Sequence, residues 1–323
     1  MSGDGVRRGR AAMAMVGVVV LTSCGGGGGP ASPGVSSGFP LTVLSCGRQV
    51  AIEQPPERVL TLAADSATAV AAAGGADRIV ARFAEGGAPL GRYEAELADV
   101  PQLTVNGEPS REAIIGQQVN LVVSYAGLEI SPEDLEAAGI DLVFSSWRCD
   151  DEVTFDDVYG TIETYGSIFD TRAVSDPAVA DLRSRVGAVE RRFTATGGRT
   201  AVNLYIGEDR LRVYGGPSMS DTVMGTLGLT NAFAEVNERL TDVSTEELLA
   251  RDPDVVLLTF GGSETEIKTE ADAVQALRER VPLDQLTAVR ENRVIAINFA
   301  YLVGGPLTVD GLEMLAGGLA RLP

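Results

Sequence analysis

Apolar residues recur at Val179, Leu182, Val186, Val189 and Phe193, while Asp181, Arg183, Arg185, Glu190 and Arg191 fall mostly on the opposite side. That spacing predicts one amphipathic helix. Ser175 and Asp176 can cap its start, and Pro177 suits a first helical position, where the missing N–H costs nothing. From Ser175 to Phe193 the helix would run roughly 27 Å. Thr196-Gly197-Gly198 reads as a stop, which puts the whole helix at 175–196.

The sequence on either side of this helix echoes itself. Ser110-Arg111-Glu112-Ala113-Ile114-Ile115 precedes the apolar run Leu121-Val122-Val123, and Ser244-Thr245-Glu246-Glu247-Leu248-Leu249 precedes Val255-Val256-Leu257-Leu258. Each copy offers a serine cap, a glutamate in the first turn, a short helix and a buried strand. A unit recurring at matching places suggests two halves of similar build, joined by the long helix.

Around these units, strand-like runs at 58–62, 79–81, 140–144, 200–205, 211–214 and 293–298 alternate with helical patterns at 65–73, 156–168, 220–227 and 271–280, and a last helix opens near 308. Short links between alternating strands and helices imply an α/β fold with mostly parallel sheets flanked by helices. At 323 residues the chain exceeds what one core usually serves, in keeping with two lobes.

Charge and composition narrow the functions. The net charge of −19 argues against nucleic-acid binding, which needs a basic surface. The absence of histidine removes Ser-His-Asp and Cys-His catalysis and the usual histidine metal centres. Lys268 is the only lysine, which reads as coding bias and not as a site.

Residues 1–23 resemble a secretory signal, with Arg7, Arg8 and Arg10 ahead of an apolar segment too short to span a bilayer. Leu21-Thr22-Ser23-Cys24 is similar to a lipobox, which would make Cys24 the lipidated N-terminus; an uncleaved anchor with an incidental cysteine is the alternative. The Gly/Pro/Ser-rich stretch 24–44 reads as a flexible tether. The expected location is therefore extracytoplasmic, on the outer face of the cell membrane and held there by lipid. Export to an oxidising compartment favours a disulfide between Cys46 and Cys149, with two buried thiols as the alternative.

An ordered set of motifs resembles the cobalamin- and ferric-siderophore-binding class of substrate-binding proteins of ABC importers. The pieces are Pro56-Glu57-Arg58-Val59-Leu60-Thr61-Leu62, Gly74-Gly75-Ala76-Asp77-Arg78-Ile79-Val80, Asp134-Leu135-Glu136-Ala137-Ala138-Gly139-Ile140, the run from Glu246 to Val256, and Arg293-Val294-Ile295-Ala296. One departure is Val119-Asn120, where the class usually has Pro-Asp. The resemblance implies an N-terminal lobe at 45–174, a rigid connecting helix at 175–196, a C-terminal lobe at 197–323 and a ligand held between the lobes, with little closure. It also implies docking on the permease through Glu112 and Glu246, although a glutamate in a first helical turn offsets the macrodipole without any partner.

Ligand residues are expected on the loops at strand carboxyl ends. Asp65, Arg82, Tyr125, Trp147 and Arg148 come from the first lobe, with Trp147 at the cleft edge. Tyr214, Phe260, Phe299 and Tyr301 come from the second. Rings and arginines suit a bulky chelate with anionic oxygens, and the turn at 215–218 could present N–H groups to an anion. The reading is a monomeric, lipid-anchored binding protein for a ferric siderophore, working with an ABC permease, not an enzyme, and needing no cofactor and no protein-bound metal. Haem held by Tyr125 or Tyr301, or cobalamin, remains open within the class. Outside it stand an exported carboxylate enzyme using Asp150, Asp151, Glu152, Asp156 and Asp157, and a scaffold lipoprotein without a small ligand.

Overall fold

The computed structural model describes residues 38–83, 88–103, 109–125, 131–149, 152–193, 198–207, 210–262, 265–280 and 282–323. Cys24 and most of the tether lie outside them.

The described chain opens with a hairpin, β1 (Leu41–Ser45) and β2 (Arg48–Ile52). Positive φ at Cys46 and Gly47 makes the tight two-residue turn. Cys46 is disulfide-bonded to Cys149, with Cα atoms 4.9 Å apart across 103 residues of sequence. The first sheet follows: β3 (Val59–Thr61), α1 (Ala64–Ala72), β4 (Ile79–Arg82), α2 (Glu94–Leu97), α3 (Arg111–Ile115), β5 (Leu121–Ser124), α4 (Pro132–Glu136) and β6 (Asp141–Phe144). Its strand order is β4-β3-β5-β6, all parallel. The hairpin lies along the outer side of β6. Ser45 Oγ accepts from Phe144 N at 2.8 Å, and Arg48 reaches Leu142 O at 2.7 Å and the Glu136 carboxylate. An exposed strand edge is covered in this way.

Two helices lead onward, α5 (Phe155–Ile168) and α6 (Arg172–Phe193). The second sheet holds β7 (Arg199–Ile206), β8 (Leu211–Val213), β9 (Leu229–Asn231), β10 (Thr241–Val243), β11 (Val255–Phe260) and β12 (Val294–Asn298). Its order is β10-β8-β7-β11-β12, with β9 pairing β7 off this path. β7, β9, β11 and β12 are parallel; β8 runs antiparallel to β7, and β10, antiparallel to β8, runs in the same direction as β7. Around it lie α7 (Met219–Thr226), α8 (Thr245–Arg251), α9 (Glu270–Glu279), α10 (Thr287–Arg290) and α11 (Leu307–Leu319).

The sequence echo has a physical counterpart. Ser110 Oγ caps α3 by accepting from Ala113 N at 3.3 Å, and Ser244 Oγ caps α8 by accepting from Glu247 N at 3.1 Å. Each helix feeds an inner strand, β5 or β11. Asn120, the departure from the usual Asp, accepts from Arg58 N at 3.1 Å beside β3, as Asp254 accepts from Thr200 N at 2.8 Å in β7. An amide oxygen performs the same backbone capping as the carboxylate, so the change leaves the strand entry intact.

The connecting helix differs from its expected bounds. It begins at Arg172, and Pro177 lies inside it. Ser175 does not cap the start. It is fully buried, and a Cβ on Gly166 of α5 would lie 2.0 Å from its Oγ. The close approach of α5 and α6 therefore decides where the helix starts, overriding the local proline signal. Val179, Leu182, Val189 and Phe193 are buried as the period requires. They join one continuous core that also takes in Val59 and Leu121 of the first sheet, Val255 and Leu257 of the second, and Leu312 of α11. Separate apolar clusters cover the other face of each sheet, around Leu60 and Ile114 in one and around Leu204 and Leu248 in the other.

Candidate functional site

The parallel strands bring their carboxyl ends into line. Thr61 pairs with Arg82 and Val123, and Ser124 pairs with Phe144, so the loops holding Asp65, Phe83, Tyr125 and Trp147 leave the first sheet on one edge. In the second sheet Phe260 pairs with Asn298 and Thr259 with Tyr205. Phe260 and the short helical turn Phe299–Tyr301 therefore sit at that sheet's carboxyl edge.

The two edges meet. Phe299 packs against Ala64 and Ala88 of the first half and Ala300 of its own. Gly304 and Gly305 lie on the first half as well. A Cβ on Gly304 would stand 2.3 Å from Trp147 Cδ1, and one on Gly305 would stand 3.3 Å from Asp65 Cβ. Both glycines have positive φ, +122° and +75°. Glycine is needed here twice over, for the backbone conformation and for the close approach.

Trp147, expected at the cleft edge, is 1% exposed and packs beneath Gly304. Its Nε1 donates to Asp65 Oδ2 at 3.0 Å, while Ser66 N donates to Asp65 Oδ1 at 2.7 Å. Behind them Ser145 Oγ stands 3.4 Å from Ser66 Oγ and 3.0 Å from Tyr165 OH. Complete burial pushes the Tyr165 phenol well above its usual range, so it stays a neutral hydrogen-bonding group. A buried polar chain thus braces Asp65 and Trp147 from below.

Arg82 ends β4, is 5% exposed, and makes no salt bridge among the described residues. With the Gln102 amide turned so that its oxygen faces the guanidinium, the two terminal nitrogens donate to that oxygen at 3.2 and 2.7 Å. Its Nε has no partner among the described residues. Burial lowers its pKa, and the charge of Glu94 acts in the opposite sense. Tyr125, Phe260, Phe299 and Tyr301 are half-buried. Burial first, and then the charge of Asp310, raises the Tyr301 phenol.

Three sequence expectations change. Tyr214 leaves the set, because β8 runs antiparallel and Val213 pairs with Leu204. The chain after β8 heads back toward the start of β7, where Tyr214 N donates to Asn203 O at 3.3 Å. The turn at 215–218 offers no anion site. Gly215 N donates to Arg239 O, Gly216 N to Val236 O and Ser218 N to Gly216 O, while Ser218 Oγ caps α7 at Asp221 N. Within the acidic cluster Asp157 caps α5: it accepts from Thr154 N and Thr154 Oγ1, both at 2.8 Å, in a capping box. Asp150, Asp151 and the Arg148 side chain lie outside the described residues.

Glu112 and Glu246 are exposed, each the second residue of its serine-capped helix. The sequence reading missed Thr61, Gln102, Gly304 and Gly305. The Gly-Gly pair ahead of a helix was a usable signal for the last two, whereas nothing local marks Thr61 or Gln102.

A family model described as periplasmic binding protein matches residues 59–301. Among solved structures, an ABC-type Fe3+-hydroxamate transport system protein from Saccharomonospora viridis is 33% identical, with 88% of this chain and 100% of that one covered and a TM-score of 0.75. A periplasmic haem-binding protein from Pseudomonas aeruginosa shares the fold at 19% identity, with 83% and 94% covered and a TM-score of 0.68. A vitamin B12-binding protein of Vibrio parahaemolyticus serotype O3:K6 is 23% identical over 205 residues, 63% of this chain and 70% of that protein.

Proposed function

The chain belongs to the periplasmic binding protein family, and from that premise we propose that it is the substrate-binding component of an ABC importer, taking a ferric siderophore. In this reading the chelate lies between walls carried by residues 45–174 and 197–323. Arg82, Tyr125, Phe260, Phe299 and Tyr301 line it, Arg148 stands near by, and Asp65 and Trp147 hold the floor. Lipidated Cys24 tethers the protein outside the membrane, and Glu112 and Glu246 dock on the permease.

The observation that carries the reading is the meeting of the two sheets' carboxyl edges, where Phe299 reaches Ala64 and Ala88. Ligands of open α/β sheets bind at such edges. A siderophore is preferred over haem because the Fe3+-hydroxamate transport protein is 33% identical to this chain, whereas the haem-binding structures share 19–22%. Siderophore iron is already fully ligated and needs no protein donor.

The test is titration of the full chain in detergent with ferric siderophores, their iron-free forms, haem and cobalamin, following fluorescence of Trp147, the only tryptophan. Saturable change with an iron-loaded siderophore and none with its iron-free form is expected. Binding of haem or cobalamin alone would move the ligand within the class. No response by fluorescence and no heat by calorimetry would overturn the proposal.

A further inference from the structure

A buried charge normally has a counter-charge, because removing an unpaired ion from water is very costly. Among the described residues, Arg82 has none. The residue is 5% exposed, its Nε is unpartnered among the described residues, and its terminal nitrogens share one neutral amide oxygen, that of Gln102. Glu94 acts on it only at a distance, without a salt bridge.

The neighbouring strand holds a second exception. Thr61 pairs with Arg82 in the register of β3 and β4, and its Oγ1 is also buried without a partner. Val59 and Ile79 of the same strands belong to one apolar cluster, and Leu60 and Ala81 to the other. By alternation, Thr61 and Arg82 therefore project from the same face. A guanidinium donor and a hydroxyl, both unsatisfied, stand side by side at the carboxyl edge that borders the cleft. Unsatisfied buried groups in a folded protein call for an occupant.

The geometry points to an anion-receiving site formed by Arg82 with Thr61 beside it, and to a carboxylate on the bound chelate that displaces the Gln102 amide. This rests on the reading that the cleft takes a ferric chelate, and it adds the chemical class. A carboxylate gives two of the guanidinium nitrogens an oxygen each, as one amide oxygen cannot. Gln102 is exposed, so the group to be displaced is accessible from outside. The net charge of −19 opposes an arriving anion at long range, but salt screens that repulsion beyond about 10 Å, leaving the contact with Arg82 to set affinity.

The experiment uses the full chain in detergent and two probes: a neutral ferric trihydroxamate and the same chelate bearing one added carboxylate. Radio-iron equilibrium dialysis gives the ratio of their affinities. The carboxylated probe is expected to bind about tenfold tighter, the scale of one charge-assisted hydrogen bond. Arg82→Gln should bring the ratio to about one. Gln102→Glu supplies the carboxylate from within; it should also collapse the ratio while raising the melting temperature, and it carries the test if Arg82→Gln does not fold. A ratio near one in the unaltered protein, or a ratio that neither substitution changes, overturns the anion site. If the neutral probe still binds in that case, the ferric-chelate reading stands alone. If neither probe binds, both fall.

Discussion

Trp147 Nε1 donates to Asp65 Oδ2 at 3.0 Å, joining the loop after β6 to the first turn of α1, and the same indole is the surface on which Gly304 of the second half rests. One hydrogen bond therefore sets the seat on which the two halves meet. Replacing Gly304 with alanine puts a Cβ 2.3 Å from the ring at a φ of +122°. A loss of about 2–4 kcal/mol is expected, measured as a shift of the urea midpoint. Trp147→Phe keeps one aromatic ring but removes the pyrrole part of the indole and the donor to Asp65, and should cost at least about 1–3 kcal/mol.

The docking assignment separates from ligand binding. Glu112→Arg together with Glu246→Arg reverses two exposed charges on capped helices far from the core. Chelate affinity should stay within twofold or so, since such surface changes are usually worth under about 0.5 kcal/mol. Uptake by cells carrying the double variant should be lost. Normal uptake would remove both glutamates from the permease contact.

Closing 103 residues of sequence, the Cys46–Cys149 bridge is expected to stabilise the fold by about 4–5 kcal/mol in the loop-closure account. The Cys46→Ser/Cys149→Ser pair should therefore melt lower by that amount. The unaltered protein should show a similar fall in a reducing buffer.

Acid should loosen the contact between α6 and α11. Arg185 donates to Glu313 at 3.0 and 2.5 Å and to Asp310 at 2.5 Å. The hydrogen bonds from Arg185 hold the Glu313 pKa below its usual value of 4.5, against a smaller opposing effect of burial. A depressed carboxyl contributes stability that is present above its unfolded pKa and is lost as pH falls through the folded one. Stability should therefore drop as pH falls below about 4.5, and Glu313→Gln should flatten that part of the profile. An unchanged acid limb in the variant would show that other carboxyls carry it.

Much of the fold was legible because its signals are local. The serine caps at 110 and 244, the alternation of apolar runs with helical stripes, and the repeated αβ unit each act within a dozen residues. The site was legible only as an edge. The rule that ligands meet strand carboxyl ends picked out Asp65, Arg82, Tyr125, Phe260 and Phe299, and the register sets these at or just beyond the carboxyl edges of the sheets. It misplaced Tyr214, because local pattern carries no strand direction and β8 runs antiparallel. Pro177 misled in the same way, since the contact of Ser175 with Gly166 extends the helix past a residue that would otherwise begin it.

The sequence by itself determined the class of fold, the order of its elements, their caps, and the exclusion of histidine chemistry, since each depends on composition or on neighbours along the chain. Only the tertiary structure decided that Trp147 is buried, that Gly304 must be glycine to lie on it, and that Thr61 and Arg82 stand together with buried polar atoms unpartnered among the described residues. Those facts arise from strands and loops distant in sequence. Their pairing is fixed by register and close packing, which no local pattern encodes.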